Sequence, residues 1–207
     1  MFCLMNPAAN LEEIVPGLWA WSSLHEEWNV DFCCGAWRDK DHLVLVDPVR
    51  LDEENLARLE AVGKPGAILL TNQNHERDAD WFRGRYGIKI HVHRDAVPGI
   101  EIQADEFFCD GAVLPGGLTA VHLPGTCPSE TAFHTAAQGG IVLLGDALMN
   151  TSQGLTFLPD DYCKDPRQNR ESVRRLLGLA FETMTFAHGN PIVQAAKTKV
   201  QALFSEK

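Results

Sequence analysis

Three apolar runs in this chain end in residues able to bind cations or move protons. "AILLT" leads into Asn72, Gln73, Asn74, His75, Glu76, Arg77 and Asp78; "IVLL" leads into Gly145 and Asp146; "TMTFA" leads into His188 and Gly189. An imidazole and a carboxylate brought together can act as a general base toward water, and the same groups hold transition metals. A fourth stretch, "LPGTCPSE" from Leu123 to Glu130, is rich in turn formers and follows another apolar run. Its Cys127 would be a nucleophile if His122 or His188 activated it; the plainer reading is a buried, inert thiol. His91 and His93 in "HVHRD" share a strand face, as metal ligands would, yet edge exposure explains them equally. Arg167, Arg170, Arg174 and Arg175 could meet an anion, or could be the solvated face of a helix opposite Val173, Leu176, Leu177 and Leu179.

The elements that must position these residues are readable from hydrophobic period and turn signals. "DFCCGAW" and "HLVLVDP" form a hairpin, and "LDEENLARLEAVG" is a helix capped by Asp52 and stopped by Gly63. "GAILLT" is a short strand of the kind buried on both faces. "DADWFRGRYG" is a helix ending at Gly87, "IKIHVH" and "LTAVHLPG" are strands, and "TAFHTAAQGGIVLLGD" is a hairpin turning at Gly139 and Gly140. "RESVRRLLGLAF" is a helix, "TMTFAHG" a strand, and "NPIVQAAKTKVQALF" a last helix with Pro191 at its first position. Strands outnumber helices and alternate with them, which predicts stacked α/β layers. In open α/β sheets ligands bind beyond the carboxyl ends of strands, so the polar run ends form one site if their strands are neighbours.

At 207 residues, 45% of them hydrophobic, the chain has material for a core and suits a single domain, 1–207. Eighteen basic against 28 acidic residues give a net charge of −10, which repels phosphate backbones and anionic lipid, so neither nucleic acid nor membrane is expected as a partner. "MFCLMNPAANLEE" lacks the basic flank and long apolar core of a signal peptide, and a cytoplasmic location is expected. The six cysteines, Cys3, Cys33, Cys34, Cys109, Cys127 and Cys163, show no CxxC spacing and are expected to be reduced thiols. Oligomeric state is not legible.

The order strand-"VDP", helix, strand-"T" with a polar cluster, strand-"LPG" loop, hairpin-"GDAL", helix, strand-"HG" resembles the metallo-β-lactamase superfamily from about Trp19 to the C-terminus. The resemblance implies a four-layer αββα sandwich with a one- or two-metal hydrolytic site at one edge. It places Asn72 and Asn74 where the family has paired histidines, Glu76 where it has an aspartate, Arg77 where it has the next histidine, and Thr126 where the Pro-Gly-His loop supplies another. Asp146 and His188 stand as the family has them. "VDPVR" keeps Asp47 and Pro48, but Val49 replaces the family's glycine.

Amide oxygens are weak donors for transition metals, so a pocket lined by Asn72, Asn74 and Thr126 is not expected to hold one. Glu76, Asp146 and His188 could bind a single Zn, Mn or Fe, whereas the Arg77 guanidinium could pair with Asp146 or Glu76 and exclude it. His75 could swing toward Asp146 as part of a general base, or simply cap the next helix. His188 could serve the site or hydrogen-bond to backbone. Two functions follow. One is hydrolysis of a small ester, thioester or amide-like bond by Asp146 with His75 or His188, where Asn72, Asn74, Arg77 and Thr126 line the substrate pocket. The other is non-catalytic binding of a small anionic ligand at Arg77, or of a protein partner. Substrate choice is expected to fall to loops such as "MNTSQGLTFLPDDYCKDP".

Overall fold

The computed structural model describes residues 6–205. Cys3 and the apolar start of the chain lie outside them. One sheet has seven strands in sequence order: β1 (Glu12–Val15), β2 (Leu18–His25), β3 (Val30–Asp39), β4 (His42–Val46), β5 (Pro65–Leu69), β6 (Lys89–His93) and β7 (Glu106–Phe108). The chain then builds β8 (Val113–Leu114), β9 (Leu118–His122), β10 (Thr131–Thr135) and β11 (Ile141–Leu143), followed by a separate ribbon, β12 (Leu148–Thr151) and β13 (Gly154–Phe157). The last strand, β14 (Thr183–Thr185), joins the second sheet parallel to β11, giving the order β14-β11-β10-β9-β8.

Strand period sorts the core into layers, because alternate side chains leave opposite faces of a sheet. On β4, Leu43 and Leu45 pack outward against Leu56 and Leu59 of α1 (Glu53–Val62) and Phe82 of α2 (Ala79–Tyr86). Val44 and Val46 pack the other way, against Leu118, Ala120, Phe133, Ile141 and Leu143 of the second sheet. Val142 and Ala132 leave the far face of that sheet and meet Val173 of α3 (Pro166–Arg174), and Ala196 and Val200 of α4 (Ala196–Ala202). These three interfaces make the αββα sandwich.

Local rules account for most of the element ends. Asp52 caps α1 by accepting from the Asn55 N–H at 2.8 Å, and Gly87 closes α2 in the left-handed region. The last helix differs from its expected form. Pro191 does not open it; Ile192 instead exchanges both backbone hydrogen bonds with Met184, and α4 starts only at Ala196. Pairing with β14 satisfies two backbone groups that a helix beginning at Pro191 would leave to solvent. No helix among the described residues is long and apolar enough to cross a membrane.

Candidate active site

Parallel pairing of β4 with β5 sets Val46 opposite Leu69, so the residues just beyond both strands meet. Asp47, with φ 49°, turns its carboxylate to Thr71, which is fully buried and donates from its N–H at 2.8 Å and from Oγ1 at 2.5 Å. The next residues form a tight loop in which the Asn72 Oδ1 accepts from the Asn74 N–H at 2.8 Å. This loop aims His75 inward. Its Nδ1 lies 2.9 Å from Asp47 Oδ2 and its Nε2 3.3 Å from Asp146 Oδ1.

The parallel pair β11 and β14 delivers the other half of the site in the same way, because Leu143 lies opposite Thr185. Asp146 and His188 therefore come together, with His188 Nε2 3.4 Å from the same Asp146 Oδ1. His188 Nδ1 donates to the backbone carbonyl of Asp31 at 2.8 Å. Two glycines permit these approaches. A Cβ on Gly145 would stand 2.4 Å from Glu130 Oε1 and 2.7 Å from Thr71 Oγ1, and one on Gly189 would stand 2.0 Å from the Asn150 carbonyl oxygen.

A buried acid, Glu130, completes the site. Its Oε1 accepts from the N–H groups of Asp146 at 2.7 Å and Ala147 at 3.3 Å; its Oε2 accepts from Asn72 Nδ2 at 2.8 Å and Thr126 Oγ1 at 3.0 Å. Asn72 Nδ2 also reaches Asp146 Oδ2 at 3.1 Å. Two residues standing in the family's ligand positions thus both serve one carboxylate oxygen.

Protonation follows from burial and neighbouring charge. Burial pushes the His75 imidazole down, but the charges of Asp146 and Asp47 outweigh it and raise its pKa to about 9. Burial works to raise Asp146, yet the adjacent His75 holds it well below the usual carboxylate range. Glu130 is raised, by burial first and then by the charge of Asp146.

His75, Asp146 and His188 each offer a ligand atom within 4.8 Å of those of the other two. Asp146 Oδ1 is buried and has no well-aligned hydrogen bond among the described residues, although two imidazole nitrogens face it. Both imidazoles have their Nδ1 secured by an acceptor, the second-sphere arrangement that fixes a histidine with Nε2 free to ligate. Two imidazoles and a carboxylate suit one Zn, Mn or Fe ion. In the neighbouring pocket Asn74 is exposed, and Asn72 and Thr126 are turned to Glu130.

Several expected residues lie elsewhere. Glu76 is not in the donor set; its Oε1 accepts from the N–H groups of Glu101 and Ile102, because the turn that points His75 in points Glu76 out. Arg77 pairs with neither Asp146 nor Glu76. It donates through Nη1 to the carbonyls of Cys33 and Asp47 and lies 5.0 Å over the Phe32 ring. Cys127 is buried, and burial together with the Glu130 charge pushes its thiol up to about 12, so it is a poor nucleophile. His93 stacks on His122 with ring centroids 3.9 Å apart and planes 17° apart. Near-parallel rings cannot both aim in-plane lone pairs at one ion, which argues against a metal there despite the nearby Asp95. Arg170 and Arg175 bind Asp160 and Asp110 at the surface. Cys33, Cys34, Cys109, Cys127 and Cys163 are free thiols. Glu130 and the orienting role of Asp47 escape a reading by motif; the one signal for Glu130 is an acid placed directly before the strand Thr131–Thr135.

A family model described as "Metallo-beta-lactamase superfamily" matches residues 12–206. No curated protein matches the sequence. Among solved structures, TMB-1 superposes with TM-score 0.76 at 14% identity, covering 97% of this chain and 98% of that one. The metallo-beta-lactamase family protein TTHA1429 from Thermus thermophilus gives 0.71 at 17% identity, covering 93% and 80%. TTHA1623, solved in a di-iron-bound form, gives 0.62 at 24% identity, covering 80% and 94%.

Proposed function

Because the chain belongs to the metallo-β-lactamase superfamily, we propose that it is a hydrolase of a small ester, thioester or amide-like bond, working with one metal ion in place of two. The observation that carries this reading is the convergence of His75 and His188 on a single Asp146 oxygen, each with its Nδ1 tied down. When bound, the ion would supply a Lewis acid for the substrate carbonyl and acidify a water. The chain's own residues do the rest. Asp47 keeps the His75 Nδ1 protonated and so fixes the tautomer. Asp146 Oδ2, the oxygen not facing the imidazoles, takes the proton from water, held in place by Asn72 Nδ2. Glu130 fills the space left by the missing histidines and anchors the Asp146 backbone.

Metal analysis of protein purified without chelator is expected to give one equivalent of Zn, Mn or Fe per chain. Two equivalents, or none, would overturn the single-ion site. Hydrolysis of a panel of small esters, thioesters and amides, abolished by Asp146→Asn, supports the enzymatic reading; a panel left intact by metal-loaded protein points to a non-catalytic relative.

A further inference from the structure

His188 opens onto a cleft of about 550 Å³, the size of a small-molecule site. Its position follows from strand register. Glu12 lies opposite Ala20, Ala20 opposite Gly35, and Ser22 opposite Cys33, so Glu12, Ala20, Ser22, Cys33 and Asp31 stand on one face. Farther along, that face carries Leu18 and Trp37 into the core between the sheets. Here the seven-stranded sheet overhangs the five-stranded one, and β12 with the segment from His188 to Pro191 forms the opposite wall. The lining mixes apolar side chains such as Ile14, Val30 and Met149 with uncharged polar ones such as Asn10, Asn29 and Thr151, and its two carboxylates are Glu12 and Asp31. It includes no lysine or arginine. Both acids are exposed, and Asp31 also holds the His188 ring through its carbonyl.

We propose that this cleft receives a positively charged group on an apolar body, so that the substrate is an ammonium- or guanidinium-bearing ester, thioester or amide. This rests on the hydrolase reading above for the bond that is cut, but not for the binding itself. Two carboxylates at the wall of a cleft that carries no lysine or arginine favour a positive charge by roughly fivefold each at contact distance in water, and disfavour a negative one by as much. The apolar wall holds the body of the molecule and orients its far end toward His188.

The test uses 4-nitrophenyl esters of equal acyl length ending in trimethylammonium, methyl or carboxylate, with benzyltrimethylammonium and phenylacetate as probes of binding by NMR line broadening. The expected order of kcat/KM is trimethylammonium, methyl, carboxylate. That order should collapse toward equality in Glu12→Gln/Asp31→Asn. Equal rates for the three esters, or preference for the carboxylate, would overturn the proposal while leaving the hydrolase reading intact. If no ester is cut, binding of benzyltrimethylammonium that is lost in the double variant still supports the cleft assignment, and only the hydrolase reading fails. Absence of that binding overturns the assignment.

Discussion

Replacing Glu130 gives the sharpest test of how the site is held. The side chain is fully buried and accepts four hydrogen bonds, two from backbone N–H groups and two from Asn72 and Thr126. Glu130→Gln keeps the shape, but in the metal-loaded protein, where Glu130 is a carboxylate, the amide oxygen can serve only one pair of donors, and the NH2 then faces the other pair. Two buried donors lose their acceptor at about 1–3 kcal/mol each, so the expected cost is about 2–6 kcal/mol. Glu130→Ala strands all four donors and leaves a cavity, and should cost more unless water enters. For a chain of this size each kcal/mol moves the midpoint by roughly 2–4 °C, so Glu130→Gln should melt about 4–24 °C lower. Urea titration with an unchanged m-value, followed in parallel by calorimetry, measures the loss. A metal-loaded Glu130→Gln protein within about 1 kcal/mol of metal-loaded wild type would refute the four-bond account, since that is the scale of one ordinary net hydrogen bond.

Other outcomes follow from the same geometry. His75→Ala and His188→Ala should each abolish stoichiometric metal binding in competition with a chromogenic chelator, and Asp47→Asn should weaken it about 10- to 100-fold through the lost second-sphere contact. In chelator-treated protein the raised His75 pKa of about 9, against an ordinary 6.5, contributes stability that is fully present below 6.5 and lost as pH rises through 9, on the order of 3 kcal/mol. Unfolding from pH 6 to 10 should show that decline, and His75→Gln should flatten it. Gly145→Ala should destabilise by about 1–3 kcal/mol, because its methyl group meets Glu130 and Thr71. Cys127→Ala should keep hydrolysis of the ester panel, and loss of turnover with unchanged metal content would restore a nucleophilic role for the thiol.

Much of the fold is legible because period 2 and the α1 and α2 caps are local signals. Leu43 to Val46 alternate between two cores, as their strand requires. The segment from Pro191 to Ala195 has helix-start chemistry, and a tertiary pairing with Met184 overrides it. The β12 and β13 ribbon lies in a stretch with the composition of a loop, where Asn150 to Gly154 carry no apolar alternation. Asp146 and His188 can be brought together on paper from strand ends alone. The choice between His75 and Glu76 cannot be made that way. It depends on backbone path within one turn, set by the Asn72 bond to the Asn74 N–H and by the left-handed φ of 45° at Arg77.

That turn also explains how a guanidinium coexists with a site that fits a dication. Arg77 is drawn out of the ligand cluster by two backbone carbonyls and the Phe32 face, yet it remains close enough to disfavour the His75 imidazolium. The neutral imidazole is the form that binds metal. With Asp47, Asp146 and Glu130 ionised and His75 neutral, three negative charges face Arg77 and one dication, and the buried charge sums to zero. Without the ion, a protonated His75 and a protonated Glu130 reach the same balance beside Arg77, Asp47 and Asp146. Loading the site should therefore release about two protons near neutral pH, one from His75 and one from Glu130. Calorimetric titration with Zn in buffers of different ionisation enthalpy measures that number, and a release near zero would show that the cluster is not neutralised in this way.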